Sequence, residues 1–128
     1  MWFQKAADQR DADAQAALGF AYELGRGVPQ DYAQAAIWYR RASEQGNADA
    51  QGILGIMYEQ GRGVPQDYVQ AHMWLNLAAS RYPATKTEMR DTAAKIRDDV
   101  AAKMTPAQVA EAQRLAREWK PTASSAPR

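Results

Sequence analysis

Few residues of this chain have the type and spacing that chemistry needs. Glu23 and Glu59 stand in the same local run, Tyr-Glu-x-Gly-Arg-Gly, and paired carboxylates can share acid–base work. Their separation of 36 residues, however, is the period of a sequence repeat. Equivalent places in successive repeats lie a full helix spacing apart, roughly 8–10 Å, so repetition explains the pair better than catalysis does. His72 is the only histidine and has no partner at metal-ligand spacing, and its repeat equivalent is Ala36, which leaves helix packing as its reading. Arg26, Arg62, Arg40 and Arg41 could touch an anion, but arginine stems more often lie along apolar neighbours with the head in water. Trp2, Trp38 and Trp74 recur at the same period and read as core, not as a ligand cage. With no cysteine there is neither a thiol nucleophile nor a disulfide. The expectation is no catalytic residue, no metal site and no cofactor.

The elements that carry these residues are set by the repeat. Leu18-Gly-Phe-Ala-Tyr-Glu-Leu-Gly-Arg-Gly-Val-Pro-Gln-Asp-Tyr32 returns as Leu54-Gly-Ile-Met-Tyr-Glu-Gln-Gly-Arg-Gly-Val-Pro-Gln-Asp-Tyr68. When residues 10–45 are laid on 46–81, 20 of the 36 positions are identical. A fixed period of this size marks a solenoid, in which each unit buries its apolar face on its neighbours.

Within each unit the punctuation is explicit. Asp11 and Asn47 are N-caps, followed by apolar residues at helical spacing: Ala14, Ala17, Leu18, Ala21 and Tyr22, then Ala50, Ile53, Leu54, Met57 and Tyr58. Gly25 and Gly61 stop these helices, and Pro29 and Pro65 lead into Asp31 and Asp67, which cap the next ones, with Gln34 and Gln70 three residues on in a capping-box pattern. The second helices carry Ala35, Trp38, Tyr39 and Ala42, and Ala71, Trp74, Leu75 and Ala78.

Past Ala79 the pattern breaks. Ser80-Arg-Tyr-Pro83 reads as a turn and Thr85-Lys-Thr-Glu88 as a capping box opening a helix with Met89, Ala93, Ile96, Val100 and Met104 on one stripe. Thr105-Pro106-Ala-Gln108 opens a last helix carrying Val109, Ala112, Leu115, Ala116 and Trp119. The expected organisation is the second helix of a partial repeat over 1–9, full repeats over 10–45 and 46–81, a capping helix pair over 82–120 and a disordered tail over 121–128. Because the chain opens mid-repeat, further repeats are expected upstream.

The pattern Ala14-Gln15…Leu18-Gly19…Tyr22…Gly25-Arg-Gly27-Val28…Asp31…Ala35…Trp38-Tyr39…Ala42, with its copy, resembles the Sel-1-like repeat (SLR), a bacterial relative of the tetratricopeptide repeat. The resemblance covers residues 2–79; Arg10 stands where the family has glycine, as at Gly46, and Leu75 where it has tyrosine. It implies an all-α fold, a right-handed α/α superhelix of helix-turn-helix units with a helical cap. It also implies a non-catalytic adaptor that binds a protein or peptide in a concave groove lined by the first helix of each repeat. Carried over by position, the groove residues are Asp13, Ala16, Phe20, Glu23, Leu24, Asp49, Gly52, Ile56, Glu59 and Gln60. The competing reading of Phe20 and Ile56 is packing between successive first helices. The enzyme alternative is a β-lactamase-like or other cell-wall hydrolase, as described for cysteine-rich members of the family. Such a serine enzyme wants Ser-x-x-Lys, and the nearest run is Thr92-Ala-Ala-Lys95 on a helix. A third reading is a structural spacer in a larger chain.

Composition narrows the partners. Apolar residues are 46%, charged residues 24% and net charge is +1, so no strong field draws the chain to nucleic acid or acidic lipid. No apolar run approaches the ~20 residues of a membrane span. Trp2 and Phe3, on a helix whose own partner is absent, are expected to support self-association as a homodimer.

Overall fold

The structure, a computed structural model, describes residues 11–122. The helix expected over 1–9, the self-association residues Trp2 and Phe3, Arg10 and the tail past residue 122 lie outside the described residues. Among the described residues there are six helices: α1 (Ala12–Leu24), α2 (Tyr32–Glu44), α3 (Ala48–Gln60), α4 (Tyr68–Arg81), α5 (Thr87–Ala101) and α6 (Pro106–Glu118).

The two copies fold alike because their punctuation is alike. Asp11 and Asn47 accept hydrogen bonds from the third amide of α1 and α3, at 3.1 and 2.9 Å. Gly25 and Gly61 end those helices at φ 69°, a left-handed geometry that glycine adopts without a Cβ penalty. The linker then folds back on its own helix. The Gln30 amide donates to the Glu23 carbonyl, and the Gln66 amide to that of Glu59, at 2.9 and 3.0 Å. Asp31 and Asp67 cap α2 and α4 through the amides of Gln34 and Gln70. The capping-box pattern is half realised there, since the Gln34 and Gln70 side chains return no bond to the cap.

One expectation about the last helices is corrected. Thr85 does not open α5: the N-cap is Lys86, with no side-chain bond, and the helix begins at Thr87. A turn closed by the Lys86 amide on the Pro83 carbonyl carries the chain in, and the Thr87 hydroxyl points back into that turn, onto the Ala84 carbonyl. Helices α5 and α6 both pack on α4. Trp119, at the end of α6, meets Trp74 of α4 edge to face at 6.3 Å. The capping box at the start of α6, between Thr105 and Gln108, is complete.

Helix α1 packs on α2, α3 on both α2 and α4, and α5 on α4. Fully buried alanines, among them Ala35, Ala42, Ala50, Ala71 and Ala78, let the backbones approach, while Leu18, Leu54, Tyr39, Trp74 and Leu75 fill the space between. Among the described residues four polar side chains are buried, Gln15, Ser43, Gln51 and His72. Gln51 is fully buried and donates to the Ser43 carbonyl at 3.0 Å, and its repeat equivalent Gln15 accepts from Gln45 at 2.7 Å. The arginines lie against rings: Arg40 over Tyr58, Arg41 over Trp38 and Arg81 over Trp119.

The junction between repeats is built twice from the same parts. Arg62, in the second linker, lies over Tyr32, the first residue of α2, at 5.0 Å. Lys103, after α5, lies over Tyr68, the first residue of α4, at 5.8 Å. Each unit therefore sets a cation on the tyrosine of the unit before it.

Candidate functional site

On the first-helix face a cleft of about 590 Å³ opens between α1, α3 and α5. Ala16, Ala17 and Phe20 supply one wall, Asp49, Ala50, Gly52, Ile53 and Ile56 the floor, and Glu88, Met89, Thr92, Ala93 and Ile96 the opposite wall. Tyr39, Leu75 and Tyr82 complete the lining from the second helices and the turn after α4. Phe20 is 49% exposed and Met89 46%, large apolar side chains left open in the lining of this cleft.

Five of the ten groove positions carried over by resemblance line this cleft: Ala16, Phe20, Asp49, Gly52 and Ile56. Ile56 is half-buried and touches the core from the floor, whereas Phe20 is open. The other five lie elsewhere. Glu23 accepts the Tyr39 hydroxyl, Asp13 accepts the Asn47 amide at 3.1 Å, and Glu59 pairs with Lys103 at 3.4 Å. Leu24 and Gln60, at the helix ends, are exposed outside the lining. Ala17 and Ile53, read from the sequence as core, are half-buried wall and floor residues.

The whole α5 wall and Tyr82 were not anticipated. The available signal was the stripe Met89, Ala93 and Ile96, which looked like one buried face. In the fold that stripe runs from the cleft into the core: Met89, Ala93 and Ile96 line the cleft, while Val100 is buried. Thus α5 does the work of a third first helix, although its sequence departs from the repeat.

The polar groups of the cleft are specific. The Tyr82 hydroxyl donates to Asp49 Oδ1 at 2.6 Å, and burial first, then that bond, holds the phenol in its neutral form well above the usual range. Glu88 lies in the first turn of α5, where a carboxylate is favoured by the helix dipole. Thr92 lines the cleft, but Lys95 of the same run is paired with Asp99 at 3.2 Å, so the two do not form a nucleophile–base pair. Glu23 and Glu59 have different partners and share no site. His72 is 3% exposed in α4. Among the described residues no group of three His, Asp or Glu side chains is placed to hold a metal, and no helix is long and apolar enough to cross a membrane.

This arrangement of paired helices agrees with what the chain resembles in sequence. The Sel1 repeat pattern matches residues 1–11, 12–47 and 48–82. The chain belongs to the Sel1 repeat family. Among solved structures, c5321, a protective antigen of uropathogenic Escherichia coli displaying an SLR fold, is 39% identical, with a TM-score of 0.82. The match covers 92% of this chain and 24% of c5321. A Sel1 repeat protein from Oxalobacter formigenes is 38% identical over 63% of this chain and 33% of its own length, with a TM-score of 0.63. The chain thus spans a quarter to a third of the solved Sel1 proteins it matches. No curated protein matches it. The fold is an all-α superhelix of helix-turn-helix repeats with further helices at its C-terminal end, and Sel1 repeats generally mediate contacts between proteins.

Proposed function

We propose that this Sel1 array is an adaptor whose cleft between α1, α3 and α5 receives a segment of a partner protein. The observation that carries the reading is that Phe20 and Met89, both large, apolar and exposed, line one cleft of about 590 Å³. Scattered apolar residues on a surface are ordinary, but a concave apolar strip with a few polar groups fits docking of a peptide or helix. The exposure of Phe20 supports docking over packing between successive first helices.

The test is a random peptide display selection followed by binding measurements on Phe20→Ala and Met89→Ala. The expected result is a selected peptide whose affinity drops at least tenfold in each variant while the thermal melt stays near that of the parent. Selected peptides that bind both variants as tightly as the parent would place the docking surface elsewhere.

A further inference from the structure

We infer that the cleft is built for a positively charged apolar segment, one in which a lysine or arginine lies next to a bulky apolar side chain seated over Gly52. This rests on the docking role proposed above and narrows it to one class of partner.

The first support is the sign of the lining. Its charged residues are Asp49 and Glu88, and no lysine, arginine or histidine is among them. The chain as a whole is +1, so this acidity is local to the cleft. The other carboxylates of α1 and α3 are matched: Glu23 by Tyr39, Glu59 by Lys103 and Asp13 by Asn47. Inside it, Asp49 uses Oδ1 for Tyr82, and among the described residues Glu88 forms no ion pair or side-chain hydrogen bond. An apolar strip edged by carboxylates suits a lysine or arginine, whose stem lies on the strip while its head reaches the acid. Such complementarity steers encounter and rejects acidic competitors.

The second support is Gly52. A Cβ on Gly19 or Gly55 would press on Tyr39 at 2.9 Å or Leu75 at 2.8 Å, so helix packing requires those glycines. A Cβ on Gly52 would meet Ala78 at 3.8 Å and the Tyr82 hydroxyl at 4.0 Å, ordinary contact distances. Glycine inside a helix weakens it relative to alanine, and nothing in the packing asks for it here. What Gly52 provides is depth in the floor, one turn from Asp49 and between the walls carrying Phe20 and Met89.

The test uses two fluorescein-labelled ten-residue peptides with the same leucine pattern, one carrying lysines and the other glutamates. Binding is followed by anisotropy at physiological salt. The lysine peptide is expected to bind at least tenfold tighter than the glutamate peptide. Glu88→Gln should reduce that preference and Glu88→Lys should abolish it. Gly52→Leu should weaken the lysine peptide at least tenfold with the helical circular dichroism retained. Lysine-peptide binding unchanged by both Glu88→Lys and Gly52→Leu overturns the inference, because it means adsorption elsewhere. Equal binding of both peptides, lost from both in Phe20→Ala, also overturns the charge assignment but leaves the docking cleft standing. The docking role itself falls only if the selected peptides described above ignore Phe20 and Met89.

Discussion

The Tyr39 hydroxyl donates to Oε1 of Glu23 across 2.7 Å, joining α2 back to α1. The second repeat cannot make this bond, because Leu75 stands at the place of Tyr39. Glu59, the equivalent of Glu23, pairs instead with Lys103 from beyond α5. One substitution between the copies thus redirects a carboxylate from its own repeat to the next element.

Tyr39→Phe should destabilise the fold by about 1.5–3 kcal/mol, the range for a hydrogen bond to a charged group. In a domain of this size that lowers the melting temperature by several degrees. Burial chiefly, and Glu23 next, push the Tyr39 phenol well above its usual value. A group whose folded pKa is raised stabilises below its unfolded value and loses that contribution above it, so the parent should lose stability as pH rises past about 10. A thermal melt series from pH 8 to 11, with absorbance at 295 nm reporting phenolate, checks both; unchanged melting in Tyr39→Phe would count against the bond's role.

Gly27 and Gly63 share φ 77° and identical flanking sequence, but not surroundings. A Cβ on Gly63 would collide with the Tyr32 carbonyl, while among the described residues Gly27 has nothing within 4 Å. Alanine at either place strains the backbone by about 1 kcal/mol or somewhat more. Gly63→Ala should cost about 1–3 kcal/mol beyond that, as overpacking does. Chemical denaturation of the two variants side by side reads the difference, and equal costs would show that the junction yields freely.

Gly52 and Gly55 should respond with opposite signs. Gly55→Ala pushes on Leu75 and on the Ala71 carbonyl at 3.1 Å and should destabilise by about 1–3 kcal/mol. Gly52→Ala should stabilise by up to about 1 kcal/mol, the helix-propensity difference. Loss of stability in Gly52→Ala would mean that the floor is tighter than its 3.8 Å clearance indicates.

How far the fold was legible in the sequence follows from where the period holds. The caps Asp11, Asn47, Asp31 and Asp67 and the stops Gly25 and Gly61 act locally, so their residue types announce them. The cleft is less legible because it forms between elements. Phe20 and Gly52 are found by position within the repeat, but Met89 and Glu88 belong to a helix off the period, and no local signal says that α5 faces α1. Thr85 misled for the same reason: a capping-box pattern competes with the turn that Pro83 and Lys86 close. Gln51 was invisible because its burial depends on a carbonyl supplied by Ser43 in another helix.

His72 supplies a pH dependence. It is 3% exposed, its Nδ1 has no hydrogen-bond partner among the described residues, and burial first, then Arg97, lowers its pKa, with Asp98 opposing. A histidine depressed in the folded state gains protons more readily when unfolded, so stability falls as pH drops below about 6.5. The slope from this one group is bounded by about 1.4 kcal/mol per pH unit. Urea midpoints measured between pH 7.5 and 5 should decline in the parent and flatten in His72→Leu; parallel curves would remove His72 as the source.

The far end of the described chain reaches back a long way. Thr122 donates from its backbone amide to the Glu44 carbonyl at 2.7 Å and from its hydroxyl at 3.2 Å, across 78 residues of sequence. A linear stack of repeats comes apart one unit at a time, since each unit holds only its neighbours. Here the segment after α6 is fastened to the last residue of α2, so the C-terminal end of the array is tied to the first repeat as well as to α4. Two hydrogen bonds of about 1 kcal/mol each couple units that a plain stack would leave independent, so opening of this end carries a cost that its neighbours alone would not impose.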